Sequence, residues 1–211
     1  MIRFLVILLV IGLGGCVHQR PDPSLWTQPT AKSMGVVVPA IPETPRVLRH
    51  AARLEIRGQA PQAFDGMLGF DARRRTARAV ALGGFGLKVF DLTVTPDTVE
   101  THLLHPALAR VPGMAERIAF CIRRIWLDFR PAENDPAQNR DGRVHLYDTR
   151  RGVLLEHEVT GGERIATTAH GPKEYWRVEF RDHDPTTHEP GRIVFTDGDG
   201  RYRLDIRTIP Q

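Results

Sequence analysis

Residues 48–57, LRHAARLEIR, alternate between apolar and charged side chains. In an extended chain, one face would carry Leu48, His50, Ala52, Leu54 and Ile56, and the other would carry Arg49, Arg53, Glu55 and Arg57. Successive side chains of a strand point to opposite faces. The stretch therefore predicts a strand with one buried and one exposed face.

The same alternation recurs along most of the chain. It predicts about eleven short strands, at 48–56, 64–70, 76–82, 86–94, 98–104, 143–149, 153–159, 163–168, 175–182, 192–196 and 202–208. Turn sequences such as Pro96-Asp97 separate them. A flat sheet of this size would expose its edges, so up-and-down antiparallel order predicts a curled sheet or half-open β-barrel. The predicted fold class is mainly β.

One segment breaks the alternation. Between Pro112-Gly113 and Pro131, apolar side chains recur at spacings of three and four, namely Met114, Ile118, Cys121, Ile122, Ile125, Trp126 and Phe129. Charged residues take the opposite side. This spacing predicts an amphipathic helix. Because the helix interrupts the strand series midway, it is expected to cover the mouth or the concave face of the sheet.

The first sixteen residues have the layout of a bacterial lipoprotein signal. Arg3 gives a positive start, residues 4–13 form an apolar run interrupted only by Gly12, and residues 13–16 read LGGC. The run is shorter than the roughly 20 apolar residues that span a bilayer, so residues 1–15 are predicted to be a cleaved signal peptide. The LGGC sequence resembles a lipobox, which implies acylation of Cys16. An ordinary signal peptide with a chance cysteine is the alternative.

The residues after the cleavage site predict an anchor and a spacer. Val17 rather than aspartate follows Cys16, and the enterobacterial sorting pattern that this resembles implies release to the outer membrane. The acyl chains would then lie in its inner leaflet, with the protein on the periplasmic face. Residues 16–45 contain six prolines and predict a semi-extended tether. The folded domain is expected at 46–211.

Composition argues against several functions. The 29 basic residues outnumber the 25 acidic ones only slightly, and the arginines are scattered among acids. Nucleic acid is therefore not an expected partner. No serine follows Ser33, which excludes a Ser-His-Asp hydrolase from the domain. Cys121 shares the apolar stripe of the predicted helix, so it is expected to pack in the core without a disulfide partner.

Two groups of histidines and acidic residues suggest a metal site, but their spacing argues against one. His102 and His105 would point to opposite faces of a strand, and the loop with Asp182-His183-Asp184 and His188-Glu189 matches no defined zinc spacing. The sequence Asp197-Gly198-Asp199-Gly200 lacks the rest of a calcium loop and predicts a hairpin turn. No metal or cofactor is expected. An enzyme using His and Asp residues of loop 182–189, with or without a metal, stays open as an alternative.

Three short motifs carry a resemblance to a known family. Residues 64–71 read FDGMLGFD, residues 81–86 read ALGGFG, and residues 90–92 read FDL. With the acylated cysteine, the tether and the strand series broken by one helix, they resemble the LolA/LolB lipoprotein carriers and, more closely, an uncharacterised group of proteobacterial lipoproteins related to them. The resemblance covers about residues 46–208. It implies a half-open β-barrel with a helix-capped apolar concavity that holds acyl chains in transit.

These expectations define a lipid-binding hypothesis. Acyl chains of a lipid or a lipoprotein would bind among Leu54, Ile56, Leu68, Phe70, Val89, Phe180, Ile118, Ile122 and Ile125. The resemblance also implies that Leu82 or Phe85, in the glycine-rich loop, is exposed and touches membrane or cargo, while packing of both inward is equally open. The main alternative is an assembly lipoprotein that binds other envelope proteins and no lipid.

Overall fold

A computed structural model describes residues 46–71, 73–127, 134–160, 163–171, 175–187 and 189–209. The predicted signal peptide, the lipidation site Cys16 and the tether lie outside the described residues. So do Phe129, at the end of the predicted helix, and His188.

The described part of the chain forms one antiparallel sheet of twelve strands. They are β1 (Arg46–Ile56), β2 (Gln62–Asp71), β3 (Thr76–Leu82), β4 (Lys88–Val94), β5 (Val99–Leu104), β6 (Ala137–Arg140), β7 (Arg143–Asp148), β8 (Val153–Thr160), β9 (Glu163–His170), β10 (Tyr175–His183), β11 (Pro190–Asp197) and β12 (Tyr202–Ile209). The mainly β fold class is confirmed. Strand β6 was not predicted because its sequence, AQNR, shows no alternation.

Strand order explains why the barrel is only half open. Strands that follow one another in the chain pair with each other, and β1 also pairs with β12, from Arg49 opposite Ile209 to Ile56 opposite Tyr202. The exception is the step from β5 to β6, where the helices are inserted and no pairing is formed. The sheet therefore curls around without closing, and β5 and β6 are its two edges.

The predicted helix begins at Met114, directly after Pro112-Gly113 as expected, and a short helix that was not predicted comes before it. A short helix α1 (Pro106–Ala109) precedes α2 (Met114–Ile122), which continues as a π-helical segment over Arg123–Leu127. Gly113, with φ of 69°, provides the left-handed turn from which α2 begins. No helix within the described ranges is long and apolar enough to cross a membrane.

The core has two parts, and α2 with its π-helical extension joins them. One part gathers Trp176, Val178, Phe195 and Ile206 from β10–β12, with Cys121 and Ile125 of the helical region. The other gathers Leu68, Leu92 and Val94 from β2 and β4, with Ala119, Ile122 and Leu127. The apolar side chains of α2 and its extension therefore pack against both halves of the curled sheet.

Candidate functional site

A cavity of about 550 Å³ lies between the helical region and the inner face of the sheet. Strands β1 to β4 and β12 form one wall, and α1, α2 and the π-helical segment form the other. Its lining is predominantly apolar: Ala52, Leu54, Ile56, Phe64, Leu68, Ala79, Val89, Phe90, Leu108, Met114, Ile118, Cys121, Ile122, Trp126, Leu204 and Ile206. The polar lining residues are His50, Arg57, Gln62, Arg117, Asp197, Arg201 and Tyr202.

The alternation that predicts β1 builds the sheet wall. His50, Ala52, Leu54 and Ile56, which share one face of the strand, all line the cavity. Across the β1–β12 pair, Leu204 lies opposite Leu54 and Ile206 opposite Ala52. Ala52 and Ala79 place only a methyl group on this wall, which leaves room between sheet and helix.

Helical spacing builds the opposite wall. Met114, Ile118, Cys121 and Ile122 lie on one face of α2, at the i, i+4, i+7 and i+8 positions, and all four line the cavity. Trp126 extends this wall into the π-helical segment and packs on Phe70, with ring centroids 6.1 Å apart.

Burial favours the neutral forms of three polar residues that line the cavity, His50, Cys121 and Tyr202. Burial lowers the pKa of His50, against weaker opposing effects of the Leu48 backbone and Asp65, so the imidazole is uncharged at pH 7. Burial raises the pKa of the Cys121 thiol to about 12, and the thiol donates a hydrogen bond to Tyr202 Oη at 3.8 Å. Burial also raises the pKa of Tyr202. A protonated thiol is a poor nucleophile, so this pair is not suited to covalent catalysis.

Six of the nine residues predicted to bind a ligand do line the cavity: Leu54, Ile56, Leu68, Val89, Ile118 and Ile122. The other three lie in the packed core instead. Phe70 packs on Trp126 near the far end of β2, and Ile125 is buried in the π-helical segment. Phe180 is on β10, two strands beyond β12, where the Arg164 guanidinium lies 4.1 Å from its ring centroid.

The two candidates for an exposed apolar loop differ in the structure. Phe85 is fully exposed at the tip of the β3–β4 loop, whereas Leu82 is half-buried at the end of β3 and is not the protruding residue. Phe85 lies in a left-handed conformation, with φ of 61°. That conformation is unfavourable for a bulky residue, at a cost of about 1–3 kcal/mol. The loop is closed by a hydrogen bond from Gly83 N–H to Leu87 O, at 2.8 Å.

The histidine and acid clusters have local structural partners. His102 Nε2 and Thr93 Oγ1 are 2.8 Å apart, and His105 Nδ1 accepts a hydrogen bond from the Ala107 N–H that begins α1. In loop 182–189, Asp184 accepts backbone hydrogen bonds from Thr186 and Thr187. Among the residues that the structure describes, no three His, Cys, Asp or Glu side chains converge as a metal site requires.

Sequence reasoning missed several lining residues, for different reasons. Leu204, Ile206 and Tyr202 share one face of β12, so their alternation offered a signal. The sequence gives no such signal for the cavity-lining arginines. The chain has many arginines, and only the fold shows which of them border the cavity.

These features define a half-open antiparallel sheet with a helix-covered apolar cavity. The chain belongs to the family described as protein of unknown function (DUF3261), whose model matches residues 48–210. No curated protein matches it.

Solved structures to which this chain is similar include a LolA superfamily protein. That protein, from Nitrosomonas europaea, has a TM-score of 0.45 and 12% identity over 81% of this chain and 86% of its own. An outer membrane lipoprotein-sorting protein domain from Vibrio parahaemolyticus has a TM-score of 0.41 and 7% identity over 78% and 83%. A DUF1329 family protein from Desulfovibrio piger has a TM-score of 0.44 and 7% identity over 81% and 85%.

Proposed function

We propose that this protein is an outer-membrane-anchored periplasmic lipoprotein that binds or transfers acyl chains, of a lipid or a lipoprotein, and that it is not an enzyme. The observation that carries the proposal is the apolar cavity of about 550 Å³. Cavities that bind small molecules measure about 300–1,000 Å³ and are lined mainly by apolar side chains. This one has that size and that lining.

Hydrophobic burial would supply the binding energy. Each methylene group transferred from water into the cavity contributes about 0.8 kcal/mol, which is roughly fourfold in Kd. The sheet wall is already fixed by strand pairing, so little rearrangement is needed before an acyl chain enters. Affinity is then expected to rise with chain length until the cavity is filled.

The β3–β4 loop supports contact with a membrane surface. A fully exposed phenylalanine in an unfavourable backbone conformation is unusual for a loop tip that only faces water. Strand directions place Phe85 at the end of the sheet where β1 ends and β12 begins. Insertion of Phe85 into a bilayer would bring that end of the cavity close to the lipid.

The predicted anchor fits the same role. Acylation at Cys16 would attach the protein permanently, since several acyl chains act together. An extended tether over residues 16–45 can reach at most ~100 Å, given about 3.3–3.6 Å per residue. The domain would thus stay within reach of the membrane while exchanging ligand. Replacement of Cys16 by alanine should abolish metabolic labelling with a palmitate analogue and release the protein from the outer-membrane fraction.

Native mass spectrometry of the purified protein, followed by solvent extraction, tests ligand binding. The proposal expects one acyl-chain lipid to co-purify in the cavity or to be taken up when a fatty acid is supplied. Repeated recovery without lipid, and without fatty-acid uptake, would favour the alternative of an envelope protein that binds other proteins.

A further inference from the structure

The cavity has a charged end, formed where β1 stops and β12 starts. Arg57 follows β1 and Arg201 precedes β12, and the Arg57 N–H donates a hydrogen bond of 2.7 Å to Arg201 O. Arg117 reaches the same region from the first turns of α2, close enough to Tyr202 to influence the pKa of its hydroxyl. All three arginines line the cavity. Three arginines with exposed side chains therefore border one end of a largely apolar space.

The acids nearby do not balance this charge. Asp197 also lines the cavity, where its Oδ1 accepts a hydrogen bond from the Tyr202 N–H at 2.9 Å, and the Asp199 carboxylate forms an ion pair with Arg201. Arg57 donates to the backbone oxygen of Asp199, a neutral acceptor, at 2.9 Å. Within the described ranges, neither Arg57 nor Arg117 forms an ion pair with a carboxylate. Three positive charges thus face two negative ones.

The rest of the lining is uncharged. Toward the other end the walls are formed by Leu68, Phe90 and Leu108, with the neutral imidazole of His50. A ligand that matches the whole cavity would have one anionic end and one apolar chain. Arginine suits a carboxylate or a phosphate, because its planar group donates two parallel hydrogen bonds to either.

We propose that the ligand is an anionic amphiphile, with a carboxylate or phosphate head bound by Arg57, Arg117 and Arg201 and an acyl chain lying along Leu54 toward His50. This inference rests on the proposed acyl-chain binding and specifies its ligand class. A triacylated N-terminal cysteine has no anion at its head. The charged end therefore favours a fatty acid or an anionic lipid over a lipoprotein as the ligand.

Binding of palmitate and hexadecanol to the mature chain (residues 16–211) carrying Cys16→Ala tests the proposal. That substitution removes the protein's own acyl chains from the assay. The two probes share an apolar chain and differ in the charge of the head. Palmitate is expected to bind about tenfold more tightly, and raising the salt concentration should weaken palmitate binding only. Hexadecyl phosphate, as a third probe, shows whether a phosphate head is preferred to a carboxylate.

Substitutions of the arginines test whether they cause the preference for an anionic head. The double variant Arg57→Gln/Arg117→Gln should weaken palmitate binding about tenfold and leave hexadecanol binding unchanged. Arg117→Gln alone, which breaks no hydrogen bond of the described side chains, should show part of the same loss and guards against misfolding of the double variant. Arg53→Gln is the matched control, since Arg53 lies on the opposite face of β1 and pairs with Glu55.

The outcomes separate the inference from the function on which it rests. Equal affinity for palmitate and hexadecanol, unchanged in the double variant, would overturn the anionic ligand while leaving acyl-chain binding intact. Failure of every probe to bind would overturn the proposed function itself. A loss of palmitate binding as large in Arg53→Gln as in the double variant would show general charge attraction and would also overturn the inference.

Discussion

Gly66 lies directly opposite His50 in the β1–β2 pair, and the imidazole of His50 fills the space that a side chain at Gly66 would need. A Cβ atom at Gly66 would come within 2.6 Å of His50 Cε1. The first glycine of the FDGMLGFD motif, Gly66, therefore leaves room for a polar residue of the cavity wall. The contact between Gly66 and His50 therefore explains a glycine of the motif by the shape of the cavity wall.

Gly66→Ala is expected to destabilise the fold by about 1–3 kcal/mol, because the His50 imidazole must leave the position that it occupies against Gly66. Urea denaturation measures the loss. In a double-mutant cycle, His50→Ala should restore most of it, since the side chain that clashes is then absent. An equal loss in the presence and absence of the imidazole would show that the clash is not the cause.

Stability should decline as the pH falls below about 6.5. Burial lowers the pKa of His157 to about 3, and the charges of Arg164 and His145 act in the same direction. The unfolded chain takes up a proton near pH 6.5 while the folded chain does not, so the free energy of unfolding decreases by about 1.4 kcal/mol per pH unit between these values. Burial of His50 contributes in the same direction.

His157→Asn tests this pH dependence. Asparagine can keep a hydrogen bond to Thr167 Oγ1, which lies 2.9 Å from His157 Nδ1, but it takes up no proton. Chemical denaturation at a series of pH values should show a slope reduced by the equivalent of one proton. The exposed His102, replaced by asparagine, is the control. If the free energy of unfolding depends on pH equally in His157→Asn and in the natural protein, His157 is not the source of this pH dependence.

A second electrostatic prediction concerns the outer face of the sheet. The hydrogen bond from Arg78 chiefly lowers the pKa of Asp91 to about 2, and Lys88 contributes further against the effect of burial. This stabilisation is present above pH 3.8 and is lost as the pH falls toward 2. Asp91→Asn should therefore cost about 1–2 kcal/mol at pH 7 and little near pH 2. Thermal unfolding at both pH values checks this, with the exposed Asp141→Asn as control.

Phe85→Asn should separate membrane binding from stability. Asparagine tolerates the left-handed conformation better than phenylalanine, so stability should stay the same or rise by up to about 1 kcal/mol. Binding of the unacylated chain to vesicles should fall about tenfold or more, because an apolar side chain no longer inserts. Val159→Asn, at another exposed apolar position, is the control for vesicle sedimentation. Unchanged binding of Phe85→Asn would rule out membrane insertion of this loop.

The sequence predicted the sheet well because period-two alternation depends only on neighbouring residues. It could not separate cavity from core. Leu54 and Phe180 both lie on inward faces of predicted strands, yet only Leu54 borders the cavity. That difference depends on where the sheet curls and where α2 lies across it, which no local pattern specifies. Arg57 and Arg201 become part of one site only through the β1–β12 pairing, between segments far apart in the chain.

Uptake of a fluorescent fatty acid by two tryptophan variants tests the central claim most directly. Leu54 and Val47 lie on the same strand, Leu54 on the cavity wall and Val47, about half exposed, on the outer face. Leu54→Trp places a large side chain in the cavity, whereas Val47→Trp adds the same side chain outside it. We expect saturable uptake of one fatty acid per chain in the natural protein and in Val47→Trp, and at least tenfold weaker uptake in Leu54→Trp. No saturable uptake in the natural protein, or equal uptake in Leu54→Trp, would contradict acyl-chain binding in this cavity.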